Sequence, residues 1–179
     1  MSKQPVSIQA FAEEHFTALQ AHIARHRQES PQQGYFMPFA RDEKTVSTPV
    51  SLQRAQLPLT SAGWRRWFLA IDPVTDQVVG HCNLDGAGLP AAMHRCELGI
   101  GIELAWRGAG LGTRLMQTAI DFARRQPDLV WLDLRVFAHN TDARHLYQKM
   151  GFEELRTVPD QFRVDELVVD DVLMTLRVD

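Results

Sequence analysis

Three glycines within five residues are the feature of this chain best suited to bind a ligand. They belong to a stretch, here called the glycine turn, that consists of Arg107, Gly108, Ala109, Gly110, Leu111, Gly112 and Thr113. Glycine lets a backbone bend sharply and come close to a ligand. Where a helix begins directly after such a turn, its first N–H groups lack helical partners and, with the helix dipole, favour phosphate oxygens. The turn is therefore a candidate site for a pyrophosphate.

The sequence on the two sides of the glycine turn predicts a strand followed by a helix. Residues 96–104 alternate with the period of a strand. One face carries Glu97, Gly99, Gly101 and Glu103, and the other carries Leu98, Ile100, Ile102 and Leu104. After the turn, apolar residues recur at helical spacing: Leu111, Leu115, Met116, Ala119, Ile120 and Ala123. The glycines thus lie where a strand ends and a helix begins.

Three other interpretations of the glycine turn fit the spacing less well. A P-loop needs a lysine directly after its last glycine, and no lysine lies near this turn. A dinucleotide-binding turn needs G-x-G-x-x-G, whereas the spacing here is G-x-G-x-G, although Asp133 lies at the distance expected of a ribose-binding acid. A turn without a ligand would lose chain entropy with no compensating interaction.

A second group of informative residues follows the apolar, strand-like run of residues 129–137. Asn140 or Thr141 is suited to cap the N-terminus of a helix, and Gly151 is suited to follow its last turn. Between them, one helical face carries Ala143, Leu146, Tyr147 and Met150. The pattern predicts a short helix that places a tyrosine on its apolar face.

Together, the two segments resemble the GNAT N-acetyltransferase superfamily. Residues 107–112 match its signature [QR]-x-x-G-x-[GA], and residues 140–152 match N-x-x-A-x-x-L-Y-x-x-x-G-F. The resemblance covers residues 68–178 and is closest in style to bacterial acetyltransferases that modify ribosomal-protein N-termini and to their small-molecule relatives. It implies a mixed α/β fold in which helices flank a largely antiparallel sheet. Its two central parallel strands would splay apart to admit pantetheine.

The resemblance also implies which residues hold acetyl-CoA. Backbone groups of Ile100 and Ile102 would pair with the pantetheine arm in the way that two neighbouring strands pair. They would also donate a hydrogen bond to the thioester carbonyl, as an oxyanion donor does. The glycine turn would hold the pyrophosphate, with Arg107 or Arg114 adding positive charge. Asn140 would contact the arm of the coenzyme, a role compatible with capping a helix.

Two residues are predicted to carry the chemistry of amide formation, and no metal is required. By resemblance, Tyr147 lies beside the thioester sulfur and is the candidate general acid. An alkyl ammonium with a pKa of about 10 must lose a proton before it attacks. Glu97 is the candidate general base, because it occupies about the position of the base in several family members. His81, His94 and His139 are alternatives.

The acceptor is predicted only as a primary amine, either of a small molecule or of a protein N-terminus. Where some N-terminal acetyltransferases have a glutamate, this chain has Arg135, which favours an acceptor that carries an anionic group or a carboxylate. Residues 28–60, 85–94 and 157–164 are expected to select it. Two other classes stay open: a non-catalytic acyl-CoA-binding module on the same fold, and a nicotinamide-dependent oxidoreductase.

Composition excludes several further classes. The length of 179 residues and 45% hydrophobic content predict a single domain over residues 1–179. A net charge of −3 argues against a nucleic-acid partner. The absence of a long apolar run or an apolar leader argues against a membrane partner and predicts a cytoplasmic protein. Two cysteines, Cys82 and Cys96, predict reduced core thiols, which could face each other on neighbouring strands.

Periodicity predicts the other elements. Residues 6–10 are expected to form a strand, residues 13–27 a helix, and residues 51–67 two short helical pieces. A hairpin of residues 67–71 and 77–83 is expected to end at a break over residues 85–90. Final strands are expected over residues 153–157 and 164–178. The irregular residues 28–50 include Tyr35, Phe36, Met37 and Phe39, which suit a pocket wall, a homodimer contact or ordinary burial.

Overall fold

The computed structural model describes residues 6–29 and 52–179 of the chain. Its helices are α1 (Phe16–Glu29), α2 (Leu52–Gln56), α3 (Leu111–Arg124) and α4 (Thr141–Lys149). Its strands are β1 (Ser7–Ala10), β2 (Arg65–Ile71), β3 (Val78–Gly86), β4 (Arg95–Ile102), β5 (Trp131–Phe137), β6 (Glu153–Val164) and β7 (Leu167–Arg177). Over these residues, no helix has the length and apolar character that crossing a lipid bilayer requires.

The strands form one mixed sheet of seven strands in the order β1-β2-β3-β4-β5-β7-β6. Only β4 and β5 run parallel among the described strands; every other neighbouring pair is antiparallel. Three residue pairs join β4 to β5, and the last of them is Glu97 with Asp133. Beyond that pair the two strands separate and leave a space, here called the slot. The fold confirms the predicted mixed α/β class with splayed central parallel strands.

Two apolar clusters cover the two faces of the sheet. Against one face, α1 packs Leu19 and Ile23 on Leu69 and other alternate residues of β2. Against the opposite face, α3 buries the six residues that helical spacing predicts: Leu111, Leu115, Met116, Ala119, Ile120 and Ala123. This burial fixes α3 on the sheet, so its N-terminus lies at the end of β4.

Part of the element prediction around β2 is wrong. In residues 51–67, only α2 is helical among the described residues, and the second helical piece is absent. The chain turns at Gly63, whose φ is +78°, and enters β2 at Arg65. Arg65 pairs with Asp85 in the register of β2 and β3 and also forms an ion pair with it. This contact between distant residues extends both strands, so β3 continues to Gly86, and the break predicted at residues 85–90 begins only after that residue.

Two further expectations do not hold. Residues 157–164 were expected to connect two strands, but they belong to β6, which accommodates irregular pairing between Val158 and Phe162. Cys82 lies opposite Ile100 and Cys96 lies opposite Gly86, so the two buried free thiols do not face each other. Most of the predicted irregular segment, including its four apolar residues, lies outside the described residues.

Candidate active site

The backbone of the glycine turn depends on two of its glycines. Gly108 and Gly110 have φ of +77° and +76°, a region in which side chains with a Cβ are strained. A Cβ built on either glycine would meet no atom within 4 Å, so the space above them is open to a ligand. The first i→i−4 bond of α3 runs from the N–H of Arg114 to the carbonyl of Gly110. The amides before Arg114 are therefore outside the helical ladder, as a phosphate-binding turn requires.

The third glycine lets two helices approach each other. A Cβ at Gly112 would lie 2.9 Å from Cδ2 of Leu146, which belongs to α4. Arg107 lines the cavity described below, and its Nε donates a hydrogen bond to the carbonyl of Ile102 at 2.8 Å. Arg114 instead donates to the carbonyl of Val6 at 2.8 Å. Of the two arginines proposed to add charge, only Arg107 lines the cavity.

A cavity of about 1040 Å³ occupies the slot and extends to the glycine turn. Its volume suits a coenzyme-sized ligand. Of the predicted site residues, it is lined by Glu97, Ile100, Ile102, Arg107, Gly108, Gly110, Leu111, Gly112, Thr113, Asn140 and Tyr147. Ala109 does not line it. The structure thus brings the two signature segments to one cavity, although they are separate in sequence.

Helix α4 carries two of the predicted residues into this cavity. Oδ1 of Asn140 accepts a hydrogen bond from the N–H of Ala143 at 3.3 Å, which confirms that Asn140 is the N-cap. The cap does not use the Nδ2 group of Asn140. At the other end, Gly151 follows the helix with φ of +94°, as predicted for a residue after the last turn. Between these two ends, Tyr147 is the buried residue of α4.

The phenol of Tyr147 is held in its protonated form. Its side chain is only 7% exposed, and its ring lies 6.3 Å from that of Phe152. Burial raises the pKa of Tyr147 above its ordinary value, and the nearby thiol of Cys82 acts in the same direction. A phenol that stays protonated at neutral pH can donate a proton to a departing thiolate.

Glu97 lies where β4 and β5 part, and its side chain is open to the cavity. The surrounding protein nevertheless displaces enough water from the carboxyl group to raise the pKa of Glu97, and the charge of Asp85 adds to this effect. Arg135 opposes it. Within the described residues, Asp85, Asp133 and Asp171 each form an ion pair with arginine, whereas Glu97 forms none. Its carboxylate therefore remains able to accept a proton.

A chain of buried polar groups lies next to this site and is only partly anticipated by the sequence. Glu103 and His22 Nδ1 are 2.8 Å apart, and His22 Nε2 and His81 Nδ1 are 2.9 Å apart. The carboxylate of Glu103 can only accept a hydrogen bond, so Nδ1 of His22 donates to it. Burial acts to raise the pKa of Glu103, but hydrogen bonds from His22 and Arg25 outweigh it and lower this pKa below its ordinary value. Glu103 therefore joins α1 to the end of β4, and His22 extends the contact to β3.

The histidine alternatives to Glu97 are placed differently from one another. His139 lines the cavity, whereas His81 and His94 do not. His26, which was not among the candidates from sequence, also lines the cavity and stacks on His22. The spacing of His22 and His26 by four residues places both on one face of α1, and this is the signal that could have found them.

Acidic pH should unfold the protein because buried histidines are neutral in the folded state. Burial lowers the pKa of His26 to about 3 from 6.5, helped by His22, and burial also lowers that of His81 well below 6.5. Unfolded, both titrate near their ordinary value. The stabilisation is therefore complete above about pH 6.5 and is lost as the pH falls, by up to about 1.4 kcal/mol per pH unit for each histidine.

Urea unfolding at pH 7, 6 and 5 measures this loss. We expect His26→Gln to make the free energy of unfolding less dependent on pH, because one buried titrating ring is removed. The exposed His145 provides the matched control, and His145→Asn should leave the dependence unchanged. A free energy of unfolding that stays constant from pH 7 to pH 5 would contradict the prediction.

Gly101 is a second position at which this cluster makes the fold sensitive to substitution. A Cβ there would lie 2.6 Å from Cε1 of His81 and 2.8 Å from Nε2 of His26. Because both rings are buried and cannot retreat, we expect Gly101→Ala to lower the free energy of unfolding by about 1–3 kcal/mol. Gly88 has no atom within 4 Å of a built Cβ, so Gly88→Ala is the control. Equal urea midpoints for the two variants would refute the expectation.

Comparison with known proteins agrees with the fold. Residues 11–152 match the family model described as Acetyltransferase (GNAT) family, and the chain therefore belongs to this family. The L-amino acid N-acetyltransferase AaaT of Escherichia coli (strain K12) is 30% identical over 80 residues, which cover 45% of this chain and 49% of AaaT. The chain thus matches about half the length of this curated relative.

Solved structures share the fold over nearly the whole chain. A GNAT-family acetyltransferase from Streptococcus pneumoniae superimposes with a TM-score of 0.82 at 22% identity, covering 97% of this chain and 99% of that one. The structure of yncA from Salmonella typhimurium, which contains its cofactor acetyl-CoA, gives a TM-score of 0.80 at 18% identity. That alignment covers 98% of this chain and 95% of yncA. These identities establish a common fold.

Proposed function

We propose that this protein transfers the acetyl group of acetyl-CoA to a primary amine, which attacks the thioester directly. The observation that carries the proposal is the single cavity that joins the glycine turn to Tyr147 and Glu97. One end of this cavity has the backbone geometry of a phosphate-binding turn. Its other part has a protonated phenol and a carboxyl group with a raised pKa. Membership of the acetyltransferase family supports the same conclusion.

The glycine turn and β4 would hold the coenzyme. The open space above Gly108 and Gly110 fits a pyrophosphate, whose oxygens would accept hydrogen bonds from the amides at the start of α3. Arg107 would add positive charge beside them. Ile100 and Ile102 lie on the part of β4 that has no partner strand in β5, so their backbone groups are suited to pair with the pantetheine arm. Asn140 would contact the same arm from α4.

Glu97 and Tyr147 would move the protons of the reaction. The acyl group arrives as a thioester, and Glu97 accepts one proton from the ammonium group of the acceptor. The freed amine then forms the C–N bond as the C–S bond breaks. The phenol of Tyr147 donates its proton to the sulfur and regains one from the nitrogen of the product. Backbone N–H groups of β4 would stabilise the negative charge on the carbonyl oxygen.

Binding and turnover assays test the proposal separately. Calorimetry with CoA measures binding, and release of free thiol from acetyl-CoA in the presence of a panel of amines measures transfer. We expect both. Binding without thiol release for any amine would indicate a non-catalytic acyl-CoA-binding module. Absence of CoA binding by folded protein would overturn the assignment of the cavity.

A further inference from the structure

Arg135 is fixed at the mouth of the slot by a buried acid. It lies on β5, two residues beyond Asp133, where pairing with β4 ends. Its Nε donates a hydrogen bond to Oδ2 of Asp171 at 2.6 Å, and Asp171 is buried on β7. The Arg135 side chain is 43% exposed and lines the cavity. Its guanidinium carbon lies 5.9 Å from the centroid of the Phe162 ring.

The anchoring of Arg135 leaves its two Nη groups for a ligand. Nε alone makes the bond to Asp171, and no other described residue accepts a hydrogen bond from this guanidinium. A planar guanidinium whose orientation is already fixed is well suited to bind a carboxylate through two parallel hydrogen bonds. Neutralising Asp171 does not by itself require an arginine at position 135, because a lysine could do so equally well.

Glu97 supplies the opposite charge on the same face of the sheet. Glu97 pairs with Asp133, and Arg135 follows Asp133 by two positions, so all three side chains lie on one face. The Cα atoms of Glu97 and Arg135 are therefore separated by about 8 Å, from the strand spacing and the rise along β5. Both side chains line the cavity, and the positive charge of Arg135 opposes the rise in the pKa of Glu97 that burial and Asp85 cause.

The remaining charges on this face argue against an acceptor with several positive charges. In the described part of the chain, Arg54 and Arg65 neutralise Asp85, and Arg95 neutralises Asp133 through two hydrogen bonds. These acids are already paired, so Glu97 is the single carboxylate of this group that can receive an ammonium. The face therefore presents one site for a positive group and one for a negative group.

We propose that the acceptor is a small amino acid whose ammonium lies beside Glu97 and whose carboxylate binds the Nη groups of Arg135. This inference rests on the proposed function, because Glu97 is the group that accepts the proton. The ligand would be recognised as a zwitterion, and both of its charged groups would be matched within one opening. An amine without a carboxylate would leave the Arg135 guanidinium without its bidentate partner.

Acceptors that differ only in the carboxylate test the inference. The probes are L-amino acids, the corresponding carboxamides and the corresponding decarboxylated amines, each assayed by thiol release from acetyl-CoA. We expect kcat/KM to be about a hundredfold higher for the amino acid than for its carboxamide. Arg135→Lys keeps a positive charge for Asp171 but loses the paired donors, so it should raise KM for the amino acid about tenfold or more.

Two further measurements separate recognition from a structural role of Arg135. The thermal midpoint of Arg135→Lys should match that of the native protein, and its KM for the carboxamide should not change. Arg95→Gln is the matched control, because it breaks a similar Arg–Asp pair on the same face but outside the cavity, and it should keep the preference for a carboxylate.

Each outcome of these assays decides one of the two proposals. Equal kcat/KM for the amino acid and its carboxamide would overturn the amino-acid inference while supporting amine acetylation. An unchanged preference in Arg135→Lys would overturn the role of Arg135. Thiol release with none of the amines, from protein that binds CoA, would overturn the proposed function itself.

Discussion

Tyr147→Phe is expected to lower kcat at least about a hundredfold while leaving the affinity for CoA unchanged, as removal of a general acid should. The substitution deletes only the hydroxyl group. The ring would keep its packing beside Phe152, so the shape of the cavity is preserved. Thiol release measures kcat, and calorimetry measures the dissociation constant for CoA.

A general acid at position 147 predicts a second result, which a residue needed only for packing does not predict. An acetyl donor whose leaving group is a weaker base than the CoA thiolate needs less protonation as it departs. The defect of Tyr147→Phe should therefore shrink with such a donor, for example 4-nitrophenyl acetate. An unchanged kcat with acetyl-CoA, or an equal defect with both donors, would remove Tyr147 from the proton transfer.

Glu97→Gln should lower kcat/KM at neutral pH about a hundredfold or more, because the acceptor ammonium would lose its proton acceptor. With Glu97 as the proton acceptor, we expect activity to require its deprotonated form. Activity should therefore rise as the pH increases through the pKa of Glu97, which burial and Asp85 place above the ordinary 4.5. In the variant this acidic limb should disappear, and activity should instead rise toward the pKa of the free amine at about 10.

The matched control for this variant is Glu14→Gln, which removes an exposed carboxylate outside the cavity. It should leave both the rate and the pH profile unchanged. A Glu97→Gln enzyme with the native acidic limb would show that another group accepts the proton. His139, which lines the cavity, would then be the first residue to test.

The parts of this protein that could be predicted from sequence are those encoded within a short window. The burial pattern of α3 follows from apolar spacing within one helix, and the cap of α4 is one of the two adjacent residues, Asn140 and Thr141, that the sequence offers. The same holds for the glycine turn, where the need for positive φ at Gly108 and Gly110 is visible in the residue types. Each of these signals is local, so tertiary contacts did not alter it.

The parts that could not be predicted depend on partners far away in the chain. The start of β2 follows the contact of Arg65 with Asp85, which overrides the helical pattern before it. The polar chain in the core needs Glu103 to meet His22, which lies 81 residues earlier. The orientation of Arg135 likewise depends on Asp171, on a different strand. A single sequence gives the types of such residues but not their pairing.

The short ladder between β4 and β5 divides the sheet into a four-strand half and a three-strand half that meet along a seam of three residue pairs. Three residue pairs supply few backbone hydrogen bonds between the two halves. We therefore expect local opening of the sheet to occur most easily at this seam. A coenzyme bound in the slot beside this seam would contact both halves of the sheet. Its binding would then stiffen the whole sheet, and not only the residues that touch it.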